Sequence, residues 1–213
     1  MTWRSLQPHE IENESFHRIE AQVGRYDLPP REWAVARRMI HTTGDFEYLD
    51  NVRFHPRALE AGLEALGRGC PVVTDTRMLQ AGIGTGRLTR LGVEIICLIN
   101  DPEVAREATR RGLTRAVVAM ERALPRAAGG IVAIGNAPTA LLSLIDLLAA
   151  GAPPPALIVG VPVGFVNAAE SKEALTHLNC PFITALGPKG GSAVAASIIN
   201  ALAIMALEGR PAL

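Results

Sequence analysis

The motifs that this chain lacks narrow its chemistry first. There is no CxxC pair, no HExxH and no cluster of His and Cys, so neither a structural zinc site nor a hydrolytic metal centre has a basis in the sequence, and no metal is expected. There is no GxSxG, which removes the serine nucleophile elbow. GPKGGS (187–192) does not have the GxxxxGK(S/T) spacing of a phosphate loop, and the glycines of GIGTGR (82–87) do not form GxGxxG directly after a strand. No cofactor is therefore expected. The cysteines number three, Cys70, Cys97 and Cys180, and their wide spacing in apolar surroundings reads as buried thiols of a reducing compartment. The opening stretch MTWRSLQPHEIENESF has no apolar run and carries acids, so neither a signal peptide nor an anchor is expected. The apolar run ALLSLIDLLAA (140–150) contains Asp146 and is too short to span a bilayer. A cytoplasmic protein with no membrane partner is the expectation. Net charge is also missing: 21 basic and 21 acidic residues cancel, so no general attraction to nucleic acid follows.

What is present is a folded chain, 48% hydrophobic and 20% charged over 213 residues. That length suits one α/β domain, residues 1–213, with an N-terminal helical part (9–69) and a sheet core (70–207). Arginines crowd residues 1–126, whereas 127–213 hold only Lys172, Lys189 and Arg210 as cations, so the first part is the source of positive groups for an anionic ligand. Residues 9–23 read as a helix through Ile11, Phe16, Ile19 and Val23, and Pro29-Pro30 opens a second that breaks at Thr43-Gly44. Five short apolar segments then alternate mainly with helices: CPVVT (70–74), EIICLI (94–99), GIVAIG (130–135), ALIVGV (156–161) and PFITAL (181–186). This rhythm predicts a three-layer αβα, doubly wound fold around a five-stranded, mainly parallel sheet. The last helix, SAVAASIINALAIMAL (192–207), has almost no polar face, which suggests apolar surface shared with a second copy or buried inside the subunit.

Two sets of residues are candidates for chemistry. On the helix before Thr43-Gly44, Arg38, His41 and Thr42 share a face at i, i+3 and i+4, placing a cation beside an imidazole that titrates near neutrality. His41 thus reads as a proton donor and acceptor, or as a partner for the helix dipole and last carbonyls. Ser15 shares a helix face with Ile11 and Ile19 and is either an inward hydroxyl or a solvated one. The second set follows the strands, where ligands of doubly wound sheets bind: Thr74 and Asp75, then Asn136 and Thr139, then Ser171 and Lys172. Each loop also reads as an ordinary cap or turn, but several converging on one rim suggest a ligand site. The chemistry that fits is a cofactor-free enzyme with an acid-base histidine.

The segments RMIHTTGDF (38–46), VVTDT (72–76), GNAPTAL (135–141), VGVPVGFVNAAESKEALTH (159–177) and LGPKGGSAVAASIINAL (186–202) resemble those of the precorrin-8X and cobalt-precorrin-8 methylmutase family of vitamin B12 biosynthesis. The resemblance covers nearly the whole chain. It implies a homodimer of Rossmann-like subunits that moves a methyl group from C11 to C12 of the corrin ring without a cofactor, converting precorrin-8X or cobalt-precorrin-8 to hydrogenobyrinate or cobyrinate. It further implies that His41 handles the ring proton, that Ser15 and Arg38 contact substrate, and that the HTTGDF version is closer to the cobalt branch. Asn167 stands where the family pattern carries glycine, which puts the local loop shape in question. Two rival classes are a non-catalytic tetrapyrrole-binding or carrier protein and a methyltransferase, the latter without a glycine-rich donor fingerprint.

Overall fold

The computed structural model describes residues 7–209; the opening residues 1–6, whose lack of an anchor was an expectation, and Arg210 lie outside them. The sheet forms where the sequence has β-branched and apolar runs, and its strand order is β1-β6-β5-β4-β2-β3. β2 (Val72–Thr74), β3 (Ile95–Ile96), β4 (Ile131–Ile134), β5 (Leu157–Gly160) and β6 (Phe182–Ala185) run parallel to one another. These are the five expected strands, though β3 keeps only two residues of EIICLI. A sixth strand, β1 (Val52–Phe54), pairs antiparallel with the outer edge of β6, Val52 opposite Ala185. Its three residues are too short to show an alternation, so periodicity does not reveal it.

Period-two alternation assigns each strand residue to one of two cores. Val72, Ile131, Ala133, Leu157, Val159 and Ile183 face one core, and Val73, Val132, Ile134, Ile158 and Phe182 face the other. The first is covered by α11 (Ser192–Glu208), which packs against α2 (Pro30–Thr43), α4 (Ala58–Gly67), α5 (Arg77–Gly82) and α6 (Thr85–Leu91). On the other face, α7 (Pro102–Arg111), α8 (Arg115–Ala123), α9 (Pro138–Ala149) and α10 (Ala168–Thr176) pack in sequence. α1 (Pro8–Val23) lies on α2, and α3 (Tyr48–Asn51) is a single turn leading into β1.

The near-uniform apolarity of α11 is mostly used within the subunit: Val194, Ile198, Ile199 and Leu202 are buried, while Ile204, Met205 and Leu207 are half-buried. Ile11, expected on the inner face of α1, is exposed, and that helix is held by Phe16 and Ile19. Asn167 adopts φ 61°, alone among the described non-glycine residues. Asparagine tolerates this left-handed region better than most side chains, so the loop retains the conformation that glycine would supply.

The topology also locates the crevice. From β2 the chain goes to β3 on one side and returns to β4 on the other, so the switch point lies between β2 and β4. β1 runs against β6, and Leu186 N–H donates to the Asn51 carbonyl at 2.9 Å, so residues just before β1 sit at the carboxyl end of β6.

Candidate active site

The last turn of α2 is built by simple means. Pro30 opens the helix, Trp33, Val35, Ala36, Met39 and Ile40 form its buried face, and Gly44 closes it with φ 68° and an N–H bond to the Ile40 carbonyl at 2.7 Å. Arg37, Arg38 and His41 are left on the face toward α1. The His41 ring meets Phe16 edge-on with centroids 5.3 Å apart, and the guanidinium carbons of Arg37 and Arg38 stand 4.2 and 5.2 Å from the same phenyl centroid. His41 and Thr42 are exposed. Arg38 Nη1 donates to Glu12 Oε1 at 2.9 Å, and Arg37 pairs with Glu20. Burial alone would raise the Glu12 pKa, but the hydrogen bond and charge of Arg38, with the fields of His41 and Arg87, hold it below its ordinary value. An open cleft of about 560 Å³ beside this group is lined by Glu12, Phe16, Arg37, Arg38, Arg87 and Arg90. α1 and α2 bring Phe16, Arg38 and His41 together, whereas Ser15, expected to contact substrate, has its hydroxyl donating to the Ile11 carbonyl of its own helix at 2.8 Å. Glu12 and Phe16, which the sequence reading missed as site residues, were legible as an i,i+4 pair on α1.

The strand-end residues form a second group. Asp75 is buried at the switch point and accepts the backbone N–H groups of Gly135, Asn136 and Ala137 at 3.2, 2.7 and 2.9 Å. Burial pushes its pKa up and these three donors pull it down, with a net rise. Asp75 therefore fixes the turn between β4 and α9, and Asn136 is left exposed on that turn. Thr74 is buried, with its hydroxyl 3.5 Å from the Ile96 carbonyl oxygen, and Thr139 is half-buried, 3.3 Å from the Thr114 hydroxyl. Ser171 and Lys172 are fully buried: the Ser171 hydroxyl donates to the Ala168 carbonyl at 3.0 Å and the Lys172 ammonium to the Lys189 carbonyl at 2.6 Å. Thr74, Asp75, Ser171 and Lys172, expected to contact substrate, are thus all buried in this conformation, with the polar groups of Asp75 and Lys172 engaged by the backbone of the loops that carry the rim.

Those loops are laced together. The Thr76 and Ser192 hydroxyls are 2.9 Å apart, Gly191 N–H donates to the Val161 carbonyl at 2.9 Å, and Gly164 N–H donates to the Pro188 carbonyl at 3.1 Å. The two groups meet through Lys189, whose ammonium lies 2.5 Å from Asp45 Oδ2 and 2.9 Å from Glu47 Oε2, just past the end of α2. Apolar side chains stand exposed at the same carboxyl end: Phe165 and Val166 in the loop after β5, and Met78 near the start of α5. An exposed imidazole, an arginine-lined cleft and exposed apolar side chains suit an acidic ligand with a large apolar body. Among the described residues no group of three or more His, Cys, Asp or Glu side chains is placed to hold a metal ion, and no helix is long and apolar enough to cross a membrane.

The family model for precorrin-8X methylmutase matches residues 10–205. A cobalt-precorrin-8 methylmutase of Priestia megaterium is 45% identical over 96% of this chain and 91% of its own. A precorrin-8X methylmutase of Pseudomonas aeruginosa is 43% identical, covering 91% of this chain and 93% of its own. The crystal structure of a precorrin-8X methylmutase from Thermus thermophilus superposes with a TM-score of 0.86 at 41% identity, over 93% of this chain and 98% of that one.

Proposed function

The chain belongs to the precorrin-8X methylmutase family, and from that membership and the geometry of α2 we propose that it isomerises precorrin-8X or cobalt-precorrin-8 with His41 as the acid-base group. The reaction moves a methyl group from C11 to the neighbouring C12 of the corrin ring and adds or removes no atom. His41 gives a proton to the conjugated ring system, the methyl migrates with its bonding pair, and return of the proton restores conjugation. One imidazole serves both steps because the same ring nitrogen can give a proton and take it back. The observation that carries this reading is the position of His41: exposed in the last turn of α2 at the carboxyl end of the sheet, with its ring set against Phe16. Arg38 takes a carboxylate arm of the substrate, exchanging Glu12 for it, and Thr42, Asn136 and Thr139 contribute polar contacts. Ser15, one residue before Phe16, can donate to a substrate carboxylate only by giving up its bond to the Ile11 carbonyl.

His41→Ala should lower kcat by about 10²- to 10⁴-fold while the protein folds and binds product. Near-normal turnover at saturating substrate would overturn the assignment, and binding without any turnover by the unaltered protein would favour the carrier reading. Relatives named for both substrates are almost equally similar to this chain, so measuring kcat/KM on the metal-free and cobalt forms decides between them. The working form we propose is a cytoplasmic homodimer. Phe165 (95% exposed) and Val166 (77% exposed) offer apolar surface for a second copy beside the site, which is support that α11 does not provide. Sedimentation equilibrium over a dilution series should show a dimer; a fully active monomer at assay concentration refutes it.

A further inference from the structure

The chain contains two lysines against nineteen arginines, and the fold brings the two lysines together. Lys172, on α10, is fully buried, and the polar partner of its ammonium is the Lys189 carbonyl rather than a carboxylate. Burying an ammonium on a carbonyl alone is costly, and the cost shows in a pKa pushed down to about 8 by desolvation. What this arrangement secures is the position of Lys189. The Lys189 ammonium bridges Asp45 and Glu47. Asp45 is tied back to α2: its N–H donates to Thr43 Oγ1 at 3.2 Å, and the Thr43 hydroxyl donates to the Met39 carbonyl at 2.9 Å. Asp45 Oδ1 also accepts the Glu47 N–H at 3.0 Å, so both carboxylates belong to one turn. A continuous polar path thus runs from α10, through the loop between β6 and α11, to the turn that begins four residues after His41.

We infer that Lys189, seated by Lys172, is a positioning residue for His41: its ammonium clamps the Asp45–Glu47 turn to the rim and so holds the last turn of α2 in register with the loops that face the substrate. The charge of Lys189 is already met by two carboxylates, so it is poorly placed to attract a third from the substrate. The ion pair is partly exposed, and pairs of this kind contribute little to global stability, so its effect belongs in the chemical step. A misplacement of the acid-base group on the order of 1 Å is enough to cost about 100-fold in rate. The inference rests on the assignment of proton transfer to His41.

The test is steady-state kinetics, with melting temperatures, on Lys189→Met, Asp45→Asn, the double variant and Lys189→Arg. Each single variant should lose about 10- to 100-fold in kcat with KM within about threefold of the original. The double variant should be no slower than the worse single one, because both changes cut the same clamp. Lys189→Arg should recover most of the loss, since a guanidinium also spans two carboxylates. A raised KM with kcat preserved would make Lys189 a substrate contact, and losses that multiply in the double variant would mean that Lys189 and Asp45 act separately; either result overturns the inference. Normal turnover by His41→Ala would defeat the proposed function itself. An inactive His41→Ala beside a Lys189→Met of unchanged kcat would defeat only the clamp.

Discussion

Replacing Gly190 with alanine adds one methyl group where the loop after β6 crosses the loop after β5. A Cβ built at Gly190 collides with the Val161 carbonyl oxygen and lies 2.8 Å from the Pro162 oxygen and 2.9 Å from the Val161 carbonyl carbon. All three atoms are backbone, so no change of rotamer relieves the overlap. The loops must part, which also breaks the bond from Gly191 N–H to the Val161 carbonyl at 2.9 Å. Overpacking of this kind costs about 1–3 kcal/mol and the lost hydrogen bond about 1 kcal/mol, giving about 2–4 kcal/mol in all. For a chain of about 200 residues each kcal/mol moves Tm by about 2–4 °C, so Gly190→Ala should melt roughly 4–16 °C lower. Gly86→Ala is the matched control: Gly86 is exposed within α6 and a Cβ there meets nothing within 4 Å. Both substitutions restrict the unfolded chain equally, so they differ only in the folded state. Removing a glycine from a helix should stabilise by about 0.5–1 kcal/mol, and Gly86→Ala should melt slightly higher. Differential scanning calorimetry distinguishes the two. A Gly190→Ala protein melting with the original, or both variants shifting alike, would refute the close approach of the two loops. Turnover of Gly190→Ala should also fall, because the displaced loop carries Lys189.

Two further predictions concern charged groups. Arg38→Ala should raise KM by about 10- to 100-fold, the worth of a charge-assisted hydrogen bond, whereas Glu12→Gln should lower KM by freeing Arg38 for the substrate; unchanged KM with a large loss of Tm in Arg38→Ala would make the pair purely structural. Lys172, with its pKa lowered from 10.5 to about 8, releases its proton in the folded state before it does in the unfolded chain. The unfolded state therefore binds more protons between those values, and this group's contribution to stability should rise with pH across that window by roughly 1.4 kcal/mol per unit. Urea unfolding at pH 7, 8, 9 and 10 should show this slope in the original protein and its loss in Lys172→Met; parallel curves would sink the claim.

Much of the architecture was legible in the chain because periodicity reports local geometry. The apolar cores of β2, β4, β5 and β6, the capping of α7 by Asp101 and of α8 by Thr114, and the Pro30-to-Gly44 span of α2 all follow from interactions within a few residues. The face shared by Arg38 and His41 was readable for the same reason, since i and i+3 are neighbours on any helix. β1 was not, because a three-residue edge strand is specified by its pairing with β6, Val52 opposite Ala185 far along the chain, rather than by its own pattern. The roles of Asp75 and Lys172 were also beyond the sequence. A polar residue after a strand has the same local signature whether it faces a ligand or a neighbouring backbone. Only the crossing of the chain between β2 and β4 turned the Asp75 carboxylate onto the amides of 135–137. Only the packing of α10 beneath the β6–α11 loop set Lys172 on the Lys189 carbonyl. The chain by itself determined which segments become helices and strands and which side carries the histidine; long-range contact decided which polar groups are consumed in holding the rim and which remain exposed for chemistry, because burial and hydrogen-bond partners are properties of the assembled layers.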